Sequence, residues 1–542
     1  MSSASEHPWF SELYPFGLYG AQESRELDRK TMETLSMSGD TLMEIAGTRA
    51  ADLILRDQAR GNSGVLVVGK GNNGGDALVI ARLLHEQGMD IEVFASSRVQ
   101  DLSSDAQLNA QRWMALGGEV RVLREHTLSE LEEFLERADF WVDGLFGVGL
   151  NAPLSGIYQS IIALMNRVAE QQQKGHGVVS TRYALDLPSG LDADTGEVLG
   201  AAFKADYCFC FGGLKPGLLL ASGPEYAGNI IPCPLPIPSA HKTSKHFVID
   251  EDWMDEVQRL WNPLKPERSH KYKHGVVYII SGSEGMTGAT VYAAKSAWAQ
   301  GAGAVVIICP KGLLPIYDYH VPELVKKSVG TDSDRMFKRK HVASIIELIE
   351  EKPGICIVGP GLGHGPDSSY LVEELVKQVA EDLLLDADAI GMLDQTMLAR
   401  RPKNQRLILS PHWGEFKTLA SNIGDVANLK GGLDSVGSLD NPSERWRIDL
   451  SQHLATHYGI WIVSKGRPSI VSTPEGFNYW TSYDTQIFNR MGFGDVLSGS
   501  IAAKILGSST IDFGLISGLT ALWEKAYPAV STGKTLTPDD LI

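Results

Sequence analysis

The stretch that decides the fold is Val65-Leu66-Val67-Val68-Gly69-Lys70-Gly71-Asn72-Asn73-Gly74-Gly75-Asp76. Four consecutive apolar residues, mostly β-branched, read as a buried strand. A glycine-rich loop follows, and Asp76 opens a predicted helix from Ala77 to Gln87 that Gly88 ends. Strand, glycine loop and helix aim backbone N–H groups and a helix N-terminus at an anion, usually phosphate. Gly69-x-Gly71-x-x-Gly74 fits a dinucleotide fingerprint, which normally has an acidic residue at the end of the next strand. Here the next strand, Ile91 to Phe94, runs into Ala95-Ser96-Ser97 with no acid. Ordinary dehydrogenase binding of NAD is therefore disfavoured. No Gly-Lys-Ser/Thr follows, so the loop is not a Walker A either. Asn72, Asn73 and Asp76 instead suggest polar recognition or cation binding beside a phosphate.

A chain of 542 residues exceeds one core and implies several domains. The net charge of −17 disfavours nucleic acid and anionic membrane surfaces as partners. The five cysteines, Cys208, Cys210, Cys233, Cys309 and Cys356, form no CxxC pair and read as buried free thiols in a reducing compartment, the cytoplasm. No apolar run is long enough for a membrane span, and the first eight residues do not read as a secretory signal.

Two predicted helices, Ala21–Leu35 and about Thr41–Arg60, precede the first strand. Further strands are predicted at 91–94, 120–123, 140–143, 183–186 and 207–211. Alternating helices and apolar strands imply a parallel sheet covered on both faces. Prolines at 232, 234, 236 and 238 are expected to break regular structure, and a linker is placed near 236–245. A second strand series follows at 276–280, 305–309, 355–358, 383–386, 407–410, 461–463 and 469–472. No repeat relates the halves, so two different α/β domains are expected, at 1–240 and 246–542.

Ligands in such sheets bind beyond the carboxyl ends of strands. In the first half those ends carry Asn72 to Asp76, Asp143 to Leu150 and Asp186 to Asp192. Asn73, Asp143 and Ser189 offer hard oxygen donors with one carboxylate, suited to a weakly charged cation. Asp186 is then available as acid or base. In the second half the corresponding groups are Gly359 to Gly363, Asp386 to Ala389, Ser410 to Glu415, Lys465 to Arg467 and Gly492 to Gly499. Gly494 and Asp495 at a helix start combine an anion hole with a carboxylate, an arrangement suited to phosphoryl transfer. His412, Asp495 and Lys465 also admit plainer readings as caps and a solvated turn.

The first half resembles the NAD(P)H-hydrate epimerase domain, from about Leu18 to Pro238. The resemblance rests on Leu42-Met43-Glu44-x-Ala46-Gly47, the Asn-Asn-Gly-Gly-Asp motif, Asp143 to Leu150, Asp186 to Asp192 and Lys215-Pro216-Gly217-Leu218. It implies a Rossmann-like fold that interconverts the R and S forms of hydrated NADH or NADPH. It also implies potassium on Asn73, Asp143 and Ser189. Substrate contacts are implied at Asn72, Asn73, Gly74, Gly75 and Asp76, at Gly147, Val148, Gly149, Leu150, Asn151, Ala152 and Pro153, and at Asp186. Ala77 departs from the family's usual glycine and is expected to tighten the loop.

The second half is similar to the NAD(P)H-hydrate dehydratase domain, a ribokinase-like α/β fold, from about His246 onward. The similarity includes His270-Lys271-x-x-His274-Gly275, Gly285-Met286-Thr287-Gly288-Ala289 and Gly301-Ala302-Gly303. It implies phosphorylation of the hydrate's hydroxyl and loss of phosphate, with ADP and magnesium. Hydrate contacts are implied at Ala289, Gly361, His412 and Asp495, and nucleotide contacts at Lys465, Gly466, Arg467, Pro468, Ser469 and Gly494. Asp495 is the expected general base. The stretch from Thr485 to Phe493 departs from the family: Phe493 replaces a threonine, and Arg490 is expected to contact phosphate instead. The whole is expected to be a bifunctional repair enzyme and a homo-oligomer, with Leu313, Leu314, Ile316 and Tyr317 packing in a core or an interface. A ribokinase-like vitamin kinase and a nucleotide sensor with an inactive second half are the alternatives.

Overall fold

The structure is a computed structural model that describes residues 17–57, 61–175, 179–249, 275–424, 443–482, 490–508, 510–532 and 534–542. The chain forms two compact units, Met1–His246 and Phe247–Ile542.

The first unit holds seven strands: β1 (Ser63–Val68), β2 (Asp90–Ala95), β3 (Val120–Val122), β4 (Phe140–Gly144), β5 (Thr181–Leu185), β6 (Tyr207–Phe211) and β7 (Asn229–Cys233). Their order is β3-β2-β1-β4-β5-β6-β7, every pair parallel. Val65 to Val68 are all within 1% of full burial, as a central strand covered on both faces requires. Helices α1 (Ala21–Leu35) and α2 (Gly39–Arg56) precede the sheet. The second helix ends before the expected position, and residues 58–60 lie outside the described residues.

Two expectations are corrected here. The Asn-Asn-Gly-Gly-Asp motif is not a loop but the first turn of helix α3 (Asn72–Glu86), capped by Gly71. Asparagine and glycine are weak helix formers, so propensity placed the start too late. Close packing overrides it: a Cβ on Gly74 would sit 2.1 Å from the Gly69 carbonyl oxygen, and one on Gly75 2.4 Å from the Met43 sulfur. Ala77 accordingly lies in the helix, fully buried against Gly144, and tightens no loop. The second correction concerns Pro232, which lies inside β7, opposite Cys210. That strand is at the sheet edge, where a missing N–H costs no ladder bond.

The second unit contributes β8 (His246–Ile249), β9 (Val276–Ile280), β10 (Ala304–Pro310), β11 (Val325–Val329), β12 (Gly354–Val358), β13 (Asp382–Leu385), β14 (Leu407–Leu409), β15 (Trp461–Ser464), β16 (Ile470–Ser472) and β17 (Asn478–Thr481). They form one sheet in the order β11-β10-β9-β12-β13-β14-β15-β16-β17-β8. The pairs from β11 to β15 are parallel, and β15 to β17 are antiparallel. All seven expected strands of this half are present. Strand β11 escaped prediction because Val-Lys-Lys-Ser-Val is an edge strand with no apolar run. Leu313 and Tyr317 are buried in this unit, whereas Leu314 and Ile316 are half-buried.

In each sheet the strand order reverses once, between β1 and β4 and between β9 and β12. Diverging loops at these points open a crevice at the carboxyl ends of the strands.

Candidate functional site

The crevice of the first unit is a cavity of about 470 Å³. Its walls come from α1 and α2, the start of α3, and the segments after β4, β5 and β6. Gly69 lets the β1 end approach β4, since a Cβ there would meet the Leu145 carbonyl oxygen at 1.8 Å. The N–H groups of Gly74 and Gly75 turn back to the Gly71 carbonyl, at 3.1 and 3.3 Å. The N–H groups of Asn72 and Asn73 occupy the first helical positions, which lack intrahelical acceptors and suit an anion.

Two of the three oxygen donors expected to hold a cation, Asp143 and Ser189, bond directly to each other, and Asn73 shares the Phe146 backbone with Ser189. The Ser189 hydroxyl donates to Asp143 Oδ1 at 2.7 Å, and the Ser189 N–H donates to Oδ2 at 2.8 Å. The same hydroxyl accepts from the Phe146 N–H at 2.8 Å. The Asn73 amide donates to the carbonyls of Phe146 (2.9 Å) and Leu185 (3.1 Å). Its oxygen is thereby left pointing away from both. Burial pushes the Asp143 carboxyl up to about 6, against the hydrogen bonds from Ser189. Among the described residues no cationic side chain pairs with it.

Asp186 has a φ of 68°, a left-handed conformation for a non-glycine residue. Such strain persists where surrounding structure enforces it, often at functional positions. It aims the carboxylate at Lys215, whose ammonium pairs with Asp186 Oδ1. Lys215 is buried and also donates to the carbonyls of Phe211 (2.9 Å) and Gly213 (3.0 Å). Burial acts to lower the Lys215 pKa, but the charges of Asp186, Cys210 and Asp28 and the hydrogen bond to Asp186 together outweigh it, and the lysine is held above its usual value. Two more carboxyls line the same cavity, Asp28 from α1 and Asp76 from α3. Burial, with repulsion from Asp186, raises the pKa of both: Asp28 to about 6 and Asp76 well above the usual range. Sequence reading missed Asp28 altogether, because an acid among Glu26, Arg29 and Lys30 looks like one more solvated charge. Lys215 was seen only as part of a motif.

Among the expected substrate contacts, Asn72, Asn73, Asp76, Gly147, Val148, Gly149 and Asp186 line the cavity. Gly74 and Gly75 pack behind it. Leu150, Asn151, Ala152 and Pro153 continue away from the lining residues. Arg25 fixes the Val148 carbonyl at 2.8 Å.

The second unit gathers its polar groups at the ends of β12 to β15. Asp386 is buried; its Oδ1 accepts from the Lys465 ammonium at 2.8 Å and its Oδ2 from the Ser498 hydroxyl at 2.5 Å. Helix Phe493–Leu506 starts after Gly492, which places Gly494 and Asp495 in its first turn. A Cβ on Gly494 would stand 3.5 Å from the Lys465 ammonium. Burial, then the charge of Asp386, pushes the Asp495 carboxyl up to about 7, while Lys465 pulls it down. Burial also raises the Glu415 pKa. His412 caps helix Trp413–Ile423, its Nδ1 accepting from the Gly414 N–H at 2.9 Å, and its ring remains exposed. Gly361 has φ of 60° and faces the Met286 carbonyl, while Ala289 is half-buried near the start of helix Thr287–Ala299.

Arg447 organises the segment from Lys465 to Ser469, and nothing in its sequence neighbourhood signals this. Its buried guanidinium donates to the Ser464 hydroxyl (2.7 Å) and the Pro468 carbonyl (2.6 Å), against the face of Gly466. Ser469 is fixed through its N–H to the Thr481 hydroxyl at 3.0 Å. Arg467 is half-buried. The Phe493 ring is buried, 1% exposed, and so does not fill the anion position. Arg490 is exposed and reaches the Leu536 carbonyl at 3.4 Å. His270, Lys271, His274 and the stretch Thr485 to Asn489 lie outside the described residues.

Residues 39–217 match the family described as YjeF-related protein N-terminus, and residues 277–532 match the NAD(P)H-hydrate dehydratase family. The bifunctional NAD(P)H-hydrate repair enzyme Nnr of Thermofilum pendens is 30% identical over 483 residues, spanning 89% of this chain and 86% of its own. That of Salinibacter ruber is 31% identical over 500 residues, spanning 87% and 84%. The chain belongs to the bifunctional NAD(P)H-hydrate repair enzymes. It joins an epimerase unit and a dehydratase unit that together restore hydrated nicotinamide cofactors. A solved ADP/ATP-dependent NAD(P)H-hydrate dehydratase from Bacillus subtilis, co-crystallised with ATP and Mg2+, is 20% identical, with a TM-score of 0.42 over 53% of this chain and 94% of its own.

Proposed function

We propose that the first-unit cavity binds NADHX or NADPHX and epimerises it with Asp186 as the acid–base group. The second unit phosphorylates the S hydrate from ADP, with Asp495 as general base. Phosphate then leaves, so the products are NADH or NADPH, AMP and phosphate. The observation that carries the second assignment is the position of Asp495: a carboxyl in the first turn of a helix, beside Lys465 and Asp386. A base whose pKa lies near neutrality is partly ionised at working pH and can still accept a proton effectively. The N–H groups of Gly494 and its neighbours, with the Lys465 ammonium, offset charge on the transferring phosphoryl group. The segment Lys465-Gly466-Arg467-Pro468-Ser469 holds the nucleotide, shaped by Arg447. Magnesium bound with the nucleotide would offset the charge of its phosphates, beside the Lys465 ammonium that does so from this chain.

Asn73, Asp143 and Ser189 fit a potassium ion. A fully buried carboxylate held only by neutral donors gains from a monovalent cation, and the Asn73 side chain bonds the same Phe146 backbone as Ser189. Such an ion supplies charge balance and fixes the segment after β4. The buried ring of Phe493 favours an open anion site over the sensor alternative. We also assign the protein to the cytoplasm, on five unpaired buried thiols, and expect a homo-oligomer.

The test follows the near-ultraviolet absorbance of reduced nicotinamide while mixed R and S hydrate is incubated with enzyme, ADP, magnesium and potassium. Full recovery, faster than spontaneous epimerisation allows, is the expected result. Recovery that stops with the S fraction would remove the epimerase role. No recovery with either ADP or ATP would remove the phosphoryl-transfer role, and product that retains phosphate would favour a kinase.

A further inference from the structure

Asp28 lies outside the stretch that matches the epimerase family, residues 39–217, and outside every motif in the sequence. It nevertheless lines the first-unit cavity together with Asp76, Asp186 and Lys215. The remaining charged lining residues are Arg25 and Asp105. Four carboxyls thus line the cavity with one ammonium and one guanidinium; Lys215 is committed to Asp186, and Arg25 reaches the Val148 carbonyl. Neither Asp28 nor Asp76 has a hydrogen-bond or salt-bridge partner among the described residues. Asp76 is 8% exposed, an unpartnered carboxyl facing the cavity. Asp28, from α1, is half-buried and open to proton exchange with solvent.

We propose that Asp28 is the proton donor of the epimerase reaction, working against the Asp186 carboxylate that pairs with Lys215. The proposal rests on the epimerase assignment of this unit. Water adding to the enamine of a reduced nicotinamide places its oxygen on the ring carbon beside nitrogen. Epimerisation needs that C–O bond to break and reform on the other face. Asp28 gives its proton to the hydroxyl, the bond breaks, and the oxygen leaves as water. The nitrogen lone pair closes a C=N bond, leaving a ring cation beside the Asp186 carboxylate. Water then adds to the opposite face, and the π pair returns to nitrogen. The proton released by that water passes to Asp186. Exchange with solvent restores both carboxyls, and the reverse epimerisation runs the same steps backward. No other reactant is consumed.

The geometry divides the labour: Asp186 is paired with a lysine, whereas Asp28 stands near two other acids with no cation of its own among the described residues, and a carboxyl so placed is poor at losing its proton. Burial and the neighbouring Asp186 place the Asp28 value at about 6, so the donor is lost as pH rises past that point.

The experiment uses the full chain with mixed hydrate, ADP, magnesium and potassium. Recovery is expected in two phases, S hydrate first and R hydrate at the epimerase rate. Asp28→Asn should slow the R phase on the order of 10²-fold or more, within the range for a lost general acid. The S phase should be unchanged, which confines the effect to the first unit, and an unchanged urea midpoint of that unit verifies its folding. Asp28→Glu should recover part of the R-phase rate. In the wild type the R phase should fall on the alkaline side of about pH 6, and that limb should vanish in Asp28→Asn. An R phase unaltered in Asp28→Asn would overturn the proposal. So would the alkaline limb disappearing in Asp76→Asn but persisting in Asp28→Asn, which would make Asp76 the donor. A wild type with no R phase above the spontaneous rate is a different result: it would remove the epimerase role itself.

Discussion

Asp495→Asn should raise the stability of the dehydratase unit while abolishing its activity. The Asp495 carboxyl is shifted from an ordinary value of 3.8 to about 7 by burial and by Asp386. The folded state therefore binds this proton more tightly than the unfolded state does. Its stability is greatest below the unfolded value, falls as pH climbs from there to about 7, and levels off above. A shift of about 3 units corresponds to about 4 kcal/mol at full effect. Solvent at the mouth of the site reduces this to roughly 2–4 kcal/mol. Asparagine keeps the shape and never ionises, so at pH 8 the variant should gain most of that amount. At pH 5 the gain should be less than about 2 kcal/mol, because most of the wild-type group is already protonated in the folded state. Turnover of S hydrate should fall about 10²–10⁴-fold through loss of the base. Urea unfolding at both pH values, with hydrogen exchange read on peptides from Phe493–Leu506, separates this unit from the other. Wild-type turnover should rise with pH through about 7. No gain at pH 8, an equal gain at both pH values, or retained turnover would refute the argument.

Three further substitutions probe the first unit. Lys215→Met leaves the half-buried Asp186 without its cation and should destabilise this unit by about 1–3 kcal/mol; urea midpoints test it. Ser189→Ala removes the hydroxyl between Asp143 and Phe146; it should cost about 1–3 kcal/mol and raise the potassium needed for half-maximal R-phase rate, a titration that would exclude the ion site if the curve did not move. Gly74→Ala forces a methyl to within 2.1 Å of the Gly69 carbonyl oxygen and should cost about 1–3 kcal/mol or more, with the R phase lost and the S phase intact.

The parts of the fold legible in sequence were those written in local apolar pattern. Central strands such as Val276–Ile280 and Tyr207–Phe211 appear with the predicted ends, because burial on both faces demands an unbroken apolar run. Edge strands β7 and β11 were not legible, since an edge position tolerates a proline in one and two lysines in the other. The start of α3 was misread for a related reason. Its glycines are selected by the carbonyl and side chain they must clear, a long-range fact that helix propensity does not contain.

The site divides in the same way. Residues at strand ends, Asp143, Asp186, Asp386 and Lys465, were legible because the parallel-sheet rule says where strand ends converge. Asp28 and Arg447 were not, since each reaches its site from within a helix whose sequence reads as ordinary surface charge. Both units use one device nonetheless. A strand-end aspartate is clamped by a lysine: Asp186 by Lys215, and Asp386 by Lys465. A second carboxyl close by then has no cation of its own, and its proton is held to near neutral pH, Asp28 in one unit and Asp495 in the other. The two reactions differ in what the second carboxyl does with it: Asp28 gives its proton to a leaving hydroxyl, whereas Asp495 must lose its own before it can take one. Their pH limbs should therefore run in opposite directions within one chain, the R phase falling with pH and the S phase rising.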